Sequence, residues 1–259
     1  MRDPRTILIT GASSGIGSAL ALEYAATGVT LFLGGRNRER LTQIAELARA
    51  KGAAVEAQQI NVADAETTRA WIQEADASHP IDLVVANAGI SAGTSGVTGG
   101  EPEEQVRAVF RTNVDGVLNT VLPMIPRMVE RGSGQLALVA SLAGYRGVPG
   151  APSYCGSKAA VKVFGEGLRG SLHSAGVGVC VVCPGYIRTP MTDVNTFPMP
   201  FLMDAERAAR VIRRGLGRNK PRIAFPWPMA AAVWLLQALP PAWIEPVLRR
   251  LPTKSSEAV

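Results

Sequence analysis

The segment SYCGSKAAVKVF places Tyr154 and Lys158 four residues apart. On a helix, positions i and i+4 share a face, so the ammonium can stand beside the phenol or share a ligand with it. A neighbouring positive charge favours phenolate and lowers a tyrosine pKa from about 10 toward the range of a working general acid or base. The same spacing also describes an inert, half-exposed helix face. Ser141, earlier in VASLAG, ends an apolar run that reads as a strand, and the carboxyl ends of strands are where parallel sheets gather their ligands.

Such residues need a frame that brings them together. Short apolar or β-branched runs occur at TILIT (6–10), TLFLG (30–34), AVEAQ (54–58), LVVA (83–86), QLALVA (135–140) and VGVCVVC (177–183), separated by longer segments with helical spacing. That order predicts an α/β fold, a parallel sheet with helices on both faces. LVVA shows no alternation, as expected of a strand buried on both sides. Ile16, Ala19, Leu20 and Leu22 recur near helical spacing, so the glycines of TGASSGIG (10–17) lie on the turn from the first strand into a helix. At 259 residues, 47% hydrophobic, without a linker, repeat or low-complexity tract, residues 1–259 read as a single domain.

A strand-to-helix turn presents free backbone N–H groups and the positive end of a helix dipole, which together favour a phosphate. Glycine lets a pyrophosphate approach the backbone closely. Gly11, Gly15 and Gly17 would do so here, although their GxxxGxG spacing differs from the GxGxxG dinucleotide fingerprint. Alone, the run also reads as a glycine-rich turn without a ligand. The second strand ends in GGRNRERL. An acid about 20 positions after the glycines binds ribose hydroxyls in NAD sites, whereas an arginine accommodates the 2′-phosphate of NADP. Arg36 occupies that region and no acid stands between Glu23 and Glu39. NADP(H) is therefore the preferred cofactor and NAD(H) the alternative; an ordinary surface arginine is the plainer reading of the same residue.

Taken together, TGASSGIG, the NAG of Asn87 to Gly89, Asn113 in RTNVDG, Ser141, the Tyr154-xxx-Lys158 pair and PGYIRT at 184–189 resemble, in order and spacing, the short-chain dehydrogenase/reductase family. Each motif is weak alone, and the combination is specific. The resemblance implies a Rossmann-type doubly wound sheet in three α/β/α layers, and hydride transfer between a nicotinamide and a carbonyl or alcohol substrate. It assigns proton donation to Tyr154 and a hydrogen bond on the substrate oxygen to Ser141. Lys158 would bind the nicotinamide ribose and tune Tyr154, and Asn113 would hold a relay water. The cofactor falls to Gly11, Ser13, Ser14, Gly15, Ile16 and Gly17, to Arg36, Asn61 and Val62, to Asn87, Ala88 and Gly89, to Pro184, Gly185, Ile187 and Thr189, and to Tyr154 and Lys158. Ala86 and Asn61 depart from residues common in the family; Asn61 can still accept a hydrogen bond from an adenine amino group.

Composition narrows the alternatives. The net charge of +6 is spread along the chain, and its clusters, such as Arg213 to Arg222, lack the interleaved aromatics that stack bases, so nucleic acid is not expected. Three cysteines and an N-terminus too short in apolar residues for a signal peptide suggest a cytoplasmic protein. Cys180 and Cys183 form a CxxC, but residues three apart on a strand face opposite ways, and both read as core. His79 and His173 are the only histidines, and no catalytic metal is expected. GISAG (89–93) matches a GxSxG nucleophile elbow, yet TSGVTGGEP after it reads as loop, which makes a serine hydrolase the weaker alternative. A non-catalytic NADP-binding sensor is the alternative from another class; Ser141 and Asn113, which cofactor binding alone does not require, argue against it.

The C-terminal third carries two further expectations. Residues 191–206 (MTDVNTFPMPFLMDAE) correspond to the family's substrate flap, and Phe197, Met199, Phe201 and Met203 there suggest an apolar substrate, unless they pack on the core. Many relatives end in a glycine-rich strand that builds a tetramer. Here RIAFPWPMAAAVWLLQALPPAWIEPVLRRLP stands instead, which puts the tetramer in doubt and leaves a homodimer as the expected assembly. Residues 227–251 read as an apolar appendage too short to span a bilayer. Trp243, Ile244, Val247, Leu248 and Leu251 share a helical face with basic flanks, so the segment suits a peripheral membrane contact, a second subunit or the domain's own core.

Overall fold

The computed structural model describes residues 3–94 and 100–249. Nine strands form within them: β1 (Thr6–Thr10), β2 (Thr30–Gly35), β3 (Ala54–Gln59), β4 (Leu83–Ala86), β5 (Gly134–Val139), β6 (Val177–Pro184), β7 (Ile187–Arg188), β8 (Met203–Asp204) and β9 (Arg222–Phe225). The α-helices are α1 (Gly15–Tyr24), α2 (Arg38–Ala50), α3 (Ala65–Ser78), α4 (Glu103–Phe110), α5 (Gly116–Val121), α6 (Met124–Arg131), α7 (Pro152–Leu172), α8 (Pro190–Asp193), α9 (Ala205–Gly217), α10 (Trp227–Ala238) and α11 (Pro241–Leu248). Seven strands make one parallel sheet in the order β3-β2-β1-β4-β5-β6-β9, and β7 pairs with β8 apart from it. The order reverses between β1 and β4, so the connections leaving their carboxyl ends diverge and open a crevice.

Side chains alternate across the sheet and build a core on each side. Ile7, Ile9, Leu31, Leu33 and Val85 pack with residues of α1, α2 and α9. Leu8, Phe32, Val84, Leu136 and Val181 pack with residues of α3, α5, α6 and α7. This is the parallel sheet with helices on both faces that the alternation of runs predicts, in the doubly wound, three-layer form that the family resemblance implies. β1, β4 and β5 are buried along their whole length, which is why LVVA shows no period of two. β3, at one edge, buries only Val55.

The other edge corrects the sequence reading. RIAF (222–225), absent from the apolar runs read as strands, is β9, which pairs in parallel with β6 through Val182↔Ile223 and Cys183↔Ala224. Ile223 and Phe225 are buried and Arg222 and Ala224 half-covered, and four residues running straight into Pro226 carry little strand signal. The appendage itself forms α10 and α11, broken at Pro240 as its prolines predict. Met229, Ala230 and Val233 pack on the α7 side of the core. The shared apolar face expected of α11 divides: Ile244 is buried, whereas Trp243 and Val247 face outward. Arg250 and Leu251 lie outside the described residues.

α7 lies unusually close to the sheet because Gly165 faces it. A Cβ there would stand 2.6 Å from Val181 Cγ2 and 3.3 Å from Leu138 Cδ2. Gly165→Ala gains about 1 kcal/mol of helix propensity. It also overpacks a β-branched side chain fixed in the central sheet, at about 1–3 kcal/mol. The second effect wins: the variant is expected to unfold at lower urea concentration than the wild type with an unchanged slope, and an equal or higher midpoint would show that the helix has room to move.

Candidate active site

A cleft of about 600 Å³ lies at the β1/β4 reversal. The β1–α1 turn forms one wall. Gly11 and Gly15 have φ of +68° and +58°, left-handed values that a side chain would strain. A Cβ on Gly17 would collide with the Gly11 carbonyl oxygen, so the first turn of α1 can nest against the loop only with glycine there. Ser14 makes no side-chain capping bond and the first turn of α1 has no acid. The N–H groups at this helix start therefore face the cleft without a side-chain acceptor, and a pyrophosphate fits that donor set.

The loop is held by hydrogen bonds between the ends of β1 and β4. Thr10 Oγ1 accepts from the backbone N–H groups of Asn87 and Ala88 at 3.2 and 3.3 Å. Asn87 Nδ2 donates to the carbonyls of Thr10 and Gly11 at 3.1 and 3.3 Å. Asn87 lines the cleft, but its amide donors are spent on shaping the loop. Thr10 belongs to this device and was not among the sequence-derived candidates; its place at the head of TGASSGIG was the only signal.

Across the cleft, α7 presents Tyr154 and Lys158, and the end of β5 presents Ser141. Ser141 accepts from the Ala143 backbone N–H at 3.1 Å, which fixes its hydroxyl at the mouth. Burial pushes the Tyr154 phenol up to about 12, and a hydrogen bond with Ser141 opposes the rise. The sequence reading expected Lys158 to pull that pKa down. Here the Lys158 ammonium lies 5.9 Å from the Tyr154 ring centroid and donates to the Val139 carbonyl at 3.0 Å. Its own pKa falls to about 8, again through burial. Desolvation therefore dominates the pair and keeps the phenol protonated at neutral pH.

Asn113 stands behind the wall, fully buried, in a single π-helical turn (Arg111–Asp115) between α4 and α5. Its Nδ2 donates to the Ile90 carbonyl at 2.9 Å and to Ser157 Oγ at 3.0 Å, and its Oδ1 accepts from the Ile90 N–H at 2.8 Å. The side-chain amide is thereby committed to pinning the segment after β4 against α7.

Every sequence-derived cofactor candidate except Gly17 lines the cleft, Arg36 included. Asn61 lines it too, although its Oδ1 accepts from the Ala63 N–H at 3.2 Å. Arg40, missed in the sequence, joins Arg36, and among the described residues neither guanidinium makes an ion pair. Of the flap, Met191 lines the cleft; Met203 is a core residue and Phe201 faces outward, so the apolar pattern there divides between core and surface. Ser91 of GISAG is buried in a loop, residues 95–99 lie outside the described residues, and neither histidine lines the cleft. Cys180 and Cys183 are buried in separate cores on the two sides of the sheet.

A glycine-lined phosphate cradle at the switch point, facing a serine, a tyrosine and a lysine, defines a nucleotide-dependent oxidoreductase fold and site. The chain belongs to the short-chain dehydrogenase family, whose model matches residues 5–197. It is 40% identical over 248 residues, 95% of this chain and 97% of the relative, to an uncharacterized oxidoreductase of Myxococcus xanthus. It superposes with a TM-score of 0.79 and 26% identity on a short-chain dehydrogenase from Sphingobium yanoikuyae in complex with NADPH, over 95% of this chain and 96% of that one. A short chain dehydrogenase/reductase from Burkholderia phymatum in complex with NAD gives the same TM-score of 0.79 at 25% identity, over 98% of each chain. The protein is thus a dehydrogenase/reductase enzyme.

The buried Lys158 has a stability consequence. Its folded pKa of about 8 lies below the ordinary 10.5, so between those values the unfolded chain binds more protons and stability rises with pH. Lys158→Met removes the penalty and is expected to be more stable than the wild type at pH 7 by roughly 1–3 kcal/mol. The advantage should shrink above pH 8 and approach its minimum near 10.5. Denaturant titrations across that pH range check it, and a wild type more stable at pH 7 than the variant would contradict it.

Proposed function

We propose that the enzyme uses NADP(H) to interconvert a carbonyl and an alcohol on an apolar small molecule. The observation that carries this reading is that Ser141, Tyr154 and Lys158 line the same cleft as the glycine loop and Arg36. The bound nicotinamide supplies or accepts hydride. Gly11, Ser14, Gly15 and Ile16 would hold the pyrophosphate, and Arg36 with Arg40 would bracket a 2′-phosphate. The neighbour with NADPH and the neighbour with NAD support a dinucleotide in this cleft.

In the reductive direction the Tyr154 phenol donates its proton to the carbonyl oxygen, which the Ser141 hydroxyl holds by a second hydrogen bond. A phenol pushed up to about 12 is fully protonated at neutral pH, as a proton donor requires. Lys158, half-charged near pH 8, sits within the same wall and places positive charge where phenolate develops. With the Asn113 side chain committed, any relay water there would rest on main-chain carbonyls. Exposed Phe110 on α4 and Val163 on the adjacent α7 support a homodimer through these helices. A sensor that merely binds the dinucleotide would not need the hydroxyls of Ser141 and Tyr154 set face to face.

Tyr154→Phe is expected to lower turnover by at least about a hundredfold, the usual worth of a positioned acid, while NADPH titrated by fluorescence still binds. Substantial residual turnover in that variant would remove Tyr154 as the proton donor. Arg36→Asp is expected to weaken NADPH by about 1.5–3 kcal/mol, the worth of a hydrogen bond to a charged group, and to relieve discrimination against NADH. Steady-state kinetics with both cofactors over a panel of ketones and aldehydes reads this directly; a wild type that already prefers NADH refutes the assignment.

A further inference from the structure

α10 carries no charged residue and a single polar one, Gln237, yet none of its residues is fully buried. A helix apolar all round belongs in a core or in lipid, and this one has only one side on the protein. Met229, Ala230 and Val233 take that side. Three of the chain's four tryptophans stand on the outside of α10 and α11: Trp227 is 78% exposed, Trp234 62% and Trp243 72%. Leu235 and Val247 are exposed beside them. Taking about 150–250 Å² per aromatic side chain, the tryptophans alone bare roughly 300–500 Å². That already equals the largest patch of an ordinary soluble monomer, about 300–600 Å².

Three observations select the occupant. Trp is the residue of the membrane–water interface, with an apolar ring and an N–H that keeps a polar partner. No helix among the described residues is long and apolar enough to cross a membrane, and the Pro240–Pro241 break leaves two short helices that can lie flat. The charge is complementary to an anionic surface. The chain carries +6, the only acid of the two helices, Glu245, is paired with Arg249 at 2.6 Å, and Arg146 binds the Leu239 carbonyl at the junction between them. In sequence, the stretch after Arg249, RLPTKSSEAV, carries Arg250 and Lys254 against one acid, Glu257.

We propose that α10 and α11 form a docking surface that lies in the interface of an anionic bilayer. Its placement deepens the reading of the cleft, on which the second half of this inference rests. Met229 Sδ lies 3.0 Å from where a Cβ on Gly185 would be, and α11 borders a hollow of about 540 Å³ with the segment that joins Ser141 to Tyr154. A chain docked through these helices holds the substrate side of its site at the lipid, and the apolar carbonyl or alcohol is a membrane-dissolved one.

The test uses the full chain with vesicles of phosphatidylcholine containing about a third phosphatidylglycerol, beside phosphatidylcholine alone. The protein is expected to co-sediment with the anionic vesicles, to shift its tryptophan emission to the blue, and to release as salt is raised. The double variant Trp234→Ala/Trp243→Ala should bind at least about tenfold more weakly, with its circular dichroism, its NADPH binding and its turnover of a water-soluble carbonyl unchanged. Failure of the wild type to bind either vesicle overturns the docking surface. So does a dimer, by light scattering, that this double variant dissociates, since a second copy would then cover the helices. Vesicle binding is read without turnover, so a chain that docks but reduces no carbonyl would refute the proposed reaction and leave the surface standing.

Discussion

The site depends on how tightly the ends of β1 and β4 are held together. Two neighbouring parallel strands send their connections to opposite faces of the sheet at this point, and without further ties the gap between them would be loose. The Thr10 hydroxyl and the Asn87 amide close it with four hydrogen bonds of 3.1 to 3.3 Å. Each is worth only about 0.5–1.5 kcal/mol, but together they fix a loop whose glycines leave it no stiffness of its own. The close seating of α1 and the direction of its first N–H groups follow from that clamp. Asn113 performs the same office one layer deeper, where a single π-helical turn re-aims an amide to bind the backbone of Ile90.

The opposite wall gains its chemistry from burial. Tyr154 and Lys158 move away from their ordinary values in opposite directions, the phenol upward and the ammonium downward, because each shift favours the neutral form. The result is a pair with a protonated acid and a cation that is costly to keep, in a wall rigid enough to hold both. α7 can bear this because it is long, lies close to the sheet through Gly165, and is anchored by the Glu166 to Arg222 ion pair at the edge strand. The stability cost falls on one residue and is offset by the two cores that flank the sheet.

Much of this was legible in the sequence, and the reasons differ by element. The central strands were visible because parallel strands buried on both faces read as unbroken apolar runs, and LVVA even kept its bounds. β9 was not, because an edge strand of only four residues merges in the sequence with the apolar helix that follows it. The residues of the glycine loop and the Tyr154–Lys158 pair were legible through type and spacing. The sign of the tyrosine shift was not, since spacing reveals a neighbour but says nothing about desolvation. Arg36 showed itself by the absence of acids around it, whereas Arg40 looked like one more surface charge of a helix start.

The division of the core into two separate layers sets the fate of the CxxC. Cys180 belongs to the layer with α1 and α9, and Cys183 to the layer with α7, with the sheet itself between their sulfurs. An intact molecule cannot join them, whatever the oxidant, yet an opened chain brings two thiols separated by only two residues within easy reach. A disulfide at these positions, formed by an oxidant acting on the opened chain, therefore marks a molecule that has come apart, until a reductant removes it.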